Sequence, residues 1–202
     1  MNRIIGIIVS TVIILFSTVS FAFAEELHWG FKKATDGNQI EISSELETML
    51  AKYDAIYRGD PQAKTIYLTF DNGYENGFTE RILDALKEEN VPATFFLTGH
   101  YVTSASDLVK RMVKDGHIIG NHSDKHPNMA RLSEAQMLTE WQNFDKKLKE
   151  VTGLERTYYT RPPEGVYNET LLAVGAKNDY RHIFWSIAFK DWEKDVRRGG
   201  DY

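Results

Sequence analysis

The chain has 202 residues, enough for one domain with a full core, and 42% of them are hydrophobic, which argues against disorder. Its 24 Lys and Arg against 29 Asp and Glu give a formal net charge of −5, so nucleic acid is not an expected partner and neutral or zwitterionic polymers fit better. With no cysteine, disulfides and thiolate zinc sites are both excluded, and any metal must rest on His, Asp, Glu or Asn.

Residues 1–24 read as an export signal. Arg3 supplies the positive start, residues 4–19 are nearly all apolar, and Ala22-Phe23-Ala24 is a small-x-small cleavage site. The alternative is an uncleaved anchor, since the apolar run is nearly long enough to span a bilayer. Either way the folded part is expected outside the cytoplasm, secreted or cell-wall associated, with no membrane contact except through that segment. Residues 25–63 form a lead-in. The spacing of Leu46, Met49, Leu50, Tyr53 and Ile56 predicts a helix over 44–57, opened by a Ser44/Glu47 capping box and ended by Gly59-Asp60-Pro61.

From Lys64 onward, strand and helix patterns alternate. Strands are expected over 65–70, 93–98, 117–121, 157–160 and 182–189. Helices are marked by Phe78, Ile82, Leu83 and Leu86, by Leu108, Val109, Met112 and Val113, by Met137, Leu138, Trp141, Phe144, Leu148 and Val151 behind a Ser133/Gln136 capping box, and by Leu171, Leu172 and Val174. This alternation implies a parallel sheet with helices outside, in which the carboxyl ends of strands carry chemistry. Five strand–helix steps are too few to close a regular eight-fold barrel, so the expectation is an α/β open sheet or an incomplete barrel.

The polar motifs fall at those strand ends. Asp71-Asn72-Gly73 closes the first strand; an Asp there needs work or a partner, although an Asx turn would also account for Asn-Gly. His122 and His126 have a spacing that suits one helix face, but the β-like run before them and Pro127 after them favour a loop. Imidazole nitrogens bind zinc well. Arg161-Pro162-Pro163 sets a permanent cation on a stiff segment, able to hold Asp71 ionised. Asp191-Trp192 follows the fifth strand, with Trp192 a flat surface suited to sugars. His100, after Gly99 at a strand end, is placed to face a groove.

Together, Thr69-Phe70-Asp71-Asn72-Gly73-Tyr74-Glu75-Asn76-Gly77, Thr98-Gly99-His100, the run from Gly116 to Ser123, Arg161-Pro162-Pro163, Phe184-Trp185-Ser186 and the lead-in Trp29-Gly30-Phe31-Lys32 resemble the NodB-type polysaccharide deacetylases. Within that family they look most like the N-acetylmuramic acid deacetylases that prepare the muramic δ-lactam of spore cortex peptidoglycan. The resemblance covers residues 64–192. It implies a distorted (β/α) barrel and a divalent metal, zinc above others, held by His122, His126 and position 72. It implies Asp71 as catalytic base and Arg161 as its tether. Asp191 would tune a catalytic histidine, Trp192 would wall the groove, and Glu164 and His100 would face the substrate. A glycan substrate and a monomer are expected; chitin or acetyl-xylan are alternative substrates.

The chain departs from the family pattern at several places. Asn72 stands where most members carry Asp, Glu164 where the muramic deacetylases carry Arg, and Ala188 at the first acidic position of the fourth motif. The family's final Leu-x-His segment would lie beyond Tyr202. The expectation is therefore a domain over 64–202 that is incomplete at its C-terminus. The other expected class is a weak or inactive glycan-binding relative.

Overall fold

The computed structural model describes residues 25–35 and 38–188; the expected export signal and the Asp191-Trp192 pair lie outside them. In chain order the strands are β1 (Leu27–His28), β2 (Thr69–Asn72), β3 (Thr94–Leu97), β4 (Ile118–Asn121), β5 (Tyr159–Thr160), β6 (Val166–Tyr167) and β7 (Arg181–His182). The α-helices are α1 (Ser44–Lys52), α2 (Thr79–Glu88), α3 (Gly99–Ser104), α4 (Ser106–Lys114), α5 (Glu134–Thr152) and α6 (Glu169–Lys177).

A five-stranded parallel sheet runs in the order β2-β3-β4-β5-β7, as the alternating pattern predicts. Its register aligns the strand ends: Asn72 opposite Leu97, Leu97 opposite Asn121, Asn121 opposite Thr160, and Thr160 opposite His182. The polar motifs thereby arrive along one edge. One row inward, Asp71, Phe96 and Gly120 are register partners and share the opposite face of the pleat. Gly120 is needed there because a Cβ would lie 2.4 Å from the Phe96 ring. Phe95 and Leu97 point the other way, into a core with Leu83, Tyr101, Val109, Met112 and Phe144.

The lead-in belongs to the sheet. Its Ile56 forms a parallel bridge with Ile183: the Ile56 amide donates to the His182 carbonyl (2.8 Å) and the Phe184 amide to the Ile56 carbonyl (2.7 Å). Trp29 stacks on Phe184 at 4.5 Å between ring centroids. Ile40, Leu50 and Tyr57 complete a second core with Trp141, Tyr167 and Leu172.

Several boundaries differ from the sequence expectation. Helix α1 is capped by Ser43, whose hydroxyl accepts from the Leu46 amide, and not by Ser44; it ends at Lys52, where Asp54 turns left-handed (φ 55°) and frees Ile56 for the sheet. Strand β2 begins at Thr69, because Ile66, Tyr67 and Leu68 are exposed and only the Leu68 carbonyl reaches β3. Strands β5 and β7 are two residues each, shorter than expected. Helix α3 was not legible, whereas the Ser133/Gln136 capping box forms in full and Gly153 closes α5 in the left-handed region.

His182, on β7, is fully buried and packs edge-on against Trp141 with ring centroids 5.9 Å apart, and neither ring nitrogen has a partner. Burial pushes its pKa down to about 3. The folded state holds it neutral, while the unfolded chain takes up a proton below the ordinary value of about 6.5. Its contribution to stability is therefore complete above that pH and is lost as pH falls toward the folded value, by up to about 1.4 kcal/mol per unit. Denaturant unfolding of His182→Leu should show the smaller loss on going from pH 7 to 5, by up to about 2 kcal/mol. Equal losses would place the acid sensitivity elsewhere.

Candidate active site

Asp71 sits at the third position of β2 with its side chain 38% exposed, and Arg161 follows β5 with its own side chain 4% exposed. The guanidinium Nη1 donates to Asp71 Oδ1 at 2.7 Å and to Thr69 Oγ1 at 2.9 Å. Nε donates to the Ile183 carbonyl (3.1 Å) and Nη2 to the Phe184 carbonyl (3.2 Å). Phe96 lies under the cation at 4.2 Å and Trp185 beside it at 5.5 Å. A buried cation so fully hydrogen-bonded is fixed in position, and it fixes one oxygen of Asp71 while leaving Oδ2 free.

Arg161 acts through its main chain as well. Its carbonyl lies 2.9 Å from His122 Nδ1. A carbonyl only accepts, so Nδ1 carries the proton and Nε2 presents its lone pair, 3.9 Å from Asp71 Oδ2. Burial holds the His122 pKa below the ordinary histidine value, outweighing the pull of Asp71 in the other direction. A neutral imidazole with a free Nε2 is the form that ligates a metal. His126 lies against it, ring centroids 4.8 Å apart and tilted by 70°.

The two histidines leave β4 on a loop, as Pro127 suggested, and not on a helix. Ser123 (φ 67°) and His126 (φ 57°) are both left-handed. The Ser123 hydroxyl accepts from the His126 amide at 2.9 Å. Between them, Asp124 is buried and paired with Lys147 on α5 at 2.5 Å. The Gly99 amide donates to the Ser123 and Asp124 carbonyls, and a Cβ on Gly99 would meet Asp124 Oδ1 at 1.9 Å. Only glycine allows that approach.

Asn72 ends β2 with its Oδ1 buried and without a partner. The strand ends at Asn72, before Gly73, so alternation does not hold its side chain to the face opposite Asp71. The following loop is tied down: Thr98 Oγ1 donates to the Gly73 carbonyl (3.0 Å), and Glu75 accepts from the Gly77 and Phe78 amides and from Tyr101 Oη. Burial alone would raise the Glu75 pKa, but the bonds from Thr79, Tyr101 and the loop amides overcome it and bring it down to about 2. Among the described residues, no three of His, Cys, Asp and Glu converge as a metal cluster. The candidate donor set is therefore a mixed one of imidazole nitrogens and an amide oxygen.

Glu164 occupies the turn after the two prolines, exposed and left-handed (φ 57°), with Gly165 beside it packed under Trp185. His100 is exposed on α3; no hydrogen bond links its ring to the Asp71, Arg161 and His122 group among the described residues. The structure thus brings together Asp71, Arg161, His122 and His126, and leaves His100 and the Glu164 carboxylate in solvent. Sequence reasoning passed over Thr69 and Trp185 as site residues. Thr69 was detectable in principle, since a residue two before Asp71 shares its strand face.

The sequence profile described as polysaccharide deacetylase matches residues 58–183. The chain belongs to the polysaccharide deacetylase family. It is 42% identical over 178 residues to the peptidoglycan-N-acetylmuramic acid deacetylase PdaA of Bacillus subtilis, covering 88% of this chain and 68% of that one. It is 50% identical over 188 residues to an uncharacterized 30.6 kDa protein of Geobacillus stearothermophilus, covering 93% and 71%. Its fold superposes on the structure of Bacillus subtilis PdaA, a family 4 carbohydrate esterase, with a TM-score of 0.81 and 43% identity over 84% of this chain and 73% of that one. The deacetylase membership makes the chain a hydrolase.

Proposed function

We propose that this deacetylase removes the acetyl group from N-acetylmuramic acid in peptidoglycan, outside the cytoplasm, using zinc held by His122, His126 and Asn72. The observation that carries the reading is the Asp71–Arg161–His122 arrangement, in which one buried arginine fixes the carboxylate through its guanidinium and the imidazole through its main-chain carbonyl. The orphaned Asn72 Oδ1 and the free Nε2 of His122 suit a zinc ion, which accepts nitrogen and oxygen donors. When bound, the ion supplies Lewis acidity at the acetamide.

The chain's own residues account for the rest. Arg161 holds Asp71 in place and occupies Oδ1, so Oδ2 is the atom that takes the proton of the attacking water. The Glu164 amide, directly after the two prolines, is assigned as the backbone donor to the oxyanion. Trp185 and Phe96 shield the guanidinium from solvent, which strengthens its hold on the carboxylate. Asp191 and Trp192 remain assigned, as proposals, to histidine tuning and the groove wall. Acetate leaves and a free amino sugar remains, the precursor that δ-lactam closure requires.

The test is acetate release from peptide-free N-acetylmuramyl glycan, set beside N-acetylglucosamine oligomers and acetyl-xylan. The muramyl glycan should be the best substrate. Preference for either of the others would replace the proposed substrate, and glycan retention without acetate would mark a binding module. Zinc calorimetry tests the third ligand. Asn72→Asp adds an anionic donor and should bind zinc at least ten-fold more tightly, about 1.4 kcal/mol. Unchanged affinity would remove position 72 from the metal.

A further inference from the structure

We propose that Asn121, a residue with no assigned part in this chemistry, is the positioning residue that sets the two candidate histidines against the Asp71–Arg161 pair. The proposal rests on the function put forward above.

Asn121 is the last residue of β4 and is completely buried. Its side chain and its main chain each hold one half of the site. Side-chain Oδ1 accepts from the Ser123 amide at 2.9 Å. That bond closes the turn in which Ser123 is left-handed, and the Ser123 hydroxyl then receives the His126 amide at 2.9 Å. His122 lies inside the turn and His126 at its end. The main-chain carbonyl of Asn121 accepts from the Arg161 amide at 3.0 Å and from Thr160 Oγ1 at 3.0 Å. Arg161 in turn holds His122 Nδ1 through its carbonyl and Asp71 through its guanidinium.

The amide is itself anchored from behind. Nδ2 donates to the Trp141 carbonyl on α5 at 3.2 Å, with Asp145 Oδ1 at 3.5 Å. Asp145 is a buried carboxylate satisfied by the Thr157 amide (3.0 Å), the Thr157 hydroxyl (2.7 Å) and Tyr180 Oη (2.6 Å). The Nδ2 contacts fix which way the Asn121 amide points, because Nδ2 faces acceptors and Oδ1 faces the Ser123 donor. A left-handed serine is uncommon and holds only where its surroundings demand it; here Asn121 Oδ1 takes the Ser123 amide while Gly99 holds the Ser123 carbonyl. Helix α5, which also grips the loop through Lys147 and Asp124, thereby anchors the residue that orients both imidazoles.

Three variants of the full chain separate this role from plain structural support. Asn121→Ala removes the Oδ1 acceptor and keeps the main chain. It should bind zinc at least ten-fold more weakly, lower kcat by about 100-fold with KM within two-fold, and speed hydrogen exchange at the Ser123 and His126 amides by ten-fold or more. Thr157→Val damages the same buried network on its far side. It should lower Tm while leaving zinc affinity, kcat and exchange at those two amides as in the parent. Asn121→Asp keeps the acceptor for Ser123 but loses the Trp141 bond and sets a second carboxylate beside Asp145. It should lose stability and bind zinc no more weakly than the parent. It also decides the matter if the alanine variant does not fold.

The proposal is overturned if Asn121→Ala and Thr157→Val, at similar loss of Tm, match in zinc affinity and loop exchange, or if Asn121→Asp loses zinc binding in step with its stability. Should the parent chain release no acetate, the functional reading fails on its own, and the exchange rates still decide the role of Asn121.

Discussion

Asp71→Asn should abolish most acetate release while leaving zinc binding in place. The amide keeps the shape of the carboxylate, so an oxygen can still face Arg161 Nη1. What it loses is the ability of the second position to accept a proton, and that position is Oδ2, the oxygen that the guanidinium does not occupy. Removing a positioned general base costs about 10² to 10⁴ in rate. Arg161 would also lose its counter-charge in a site where its own side chain is almost wholly buried, so some stability should go as well. Single-turnover acetate assays beside zinc calorimetry measure both halves. Activity within ten-fold of the parent would mean that another group takes the proton.

Arg161→Lys should be nearly as damaging, and for a different reason. Four acceptors surround the guanidinium: Thr69 Oγ1, Asp71 Oδ1 and the carbonyls of Ile183 and Phe184. Their arrangement matches a planar fork, and a lysine ammonium on a flexible stem cannot reach all of them. Each carbonyl left orphaned costs about 1–3 kcal/mol. The carboxylate then loses its fixed orientation, and a misplacement of about 1 Å can cost 10² in rate. Denaturant unfolding should show the stability loss and the acetate assay a fall of about 100-fold. A lysine variant of parental stability would show that the two carbonyls find other donors.

Much of this arrangement can be read from residues alone, because it rests on period and punctuation. The strand ends at Asp71, His122 and Arg161 follow from apolar runs bounded by Gly and Pro, and the α5 capping box is written in Ser133 and Gln136. What escaped depends on contacts between distant segments. Helix α3 has a poor helical composition, with glycine at its first position and Val102 and Thr103 β-branched; it exists because Thr98 caps it and Tyr101 reaches Glu75. The run at 65–68 looks like strand by propensity, yet it lies at the sheet edge with β3 as its sole neighbour among the described residues. Ile56 sits at helical spacing but leaves the helix to bridge Ile183. At the site, the pairing of Asp71 with Arg161 was legible from a permanent cation on a stiff Pro-Pro segment, and again through the family resemblance. That Asn121 ties the histidine loop to α5 was not, since an asparagine closing a strand looks like any turn residue.

The Ile56 bridge bears on where this domain can be cut. The family profile begins at residue 58, after the bridge. Trimming the chain to that boundary would strip Ile56 from the outer side of β7 and leave the Phe184 amide without its acceptor. The carbonyl of that same Phe184 grips Arg161 Nη2, so the loosening would pass within one residue to the cation that orders the Asp71 carboxylate. A minimal domain drawn from sequence similarity would thus be shorter than the smallest piece whose active-site geometry holds.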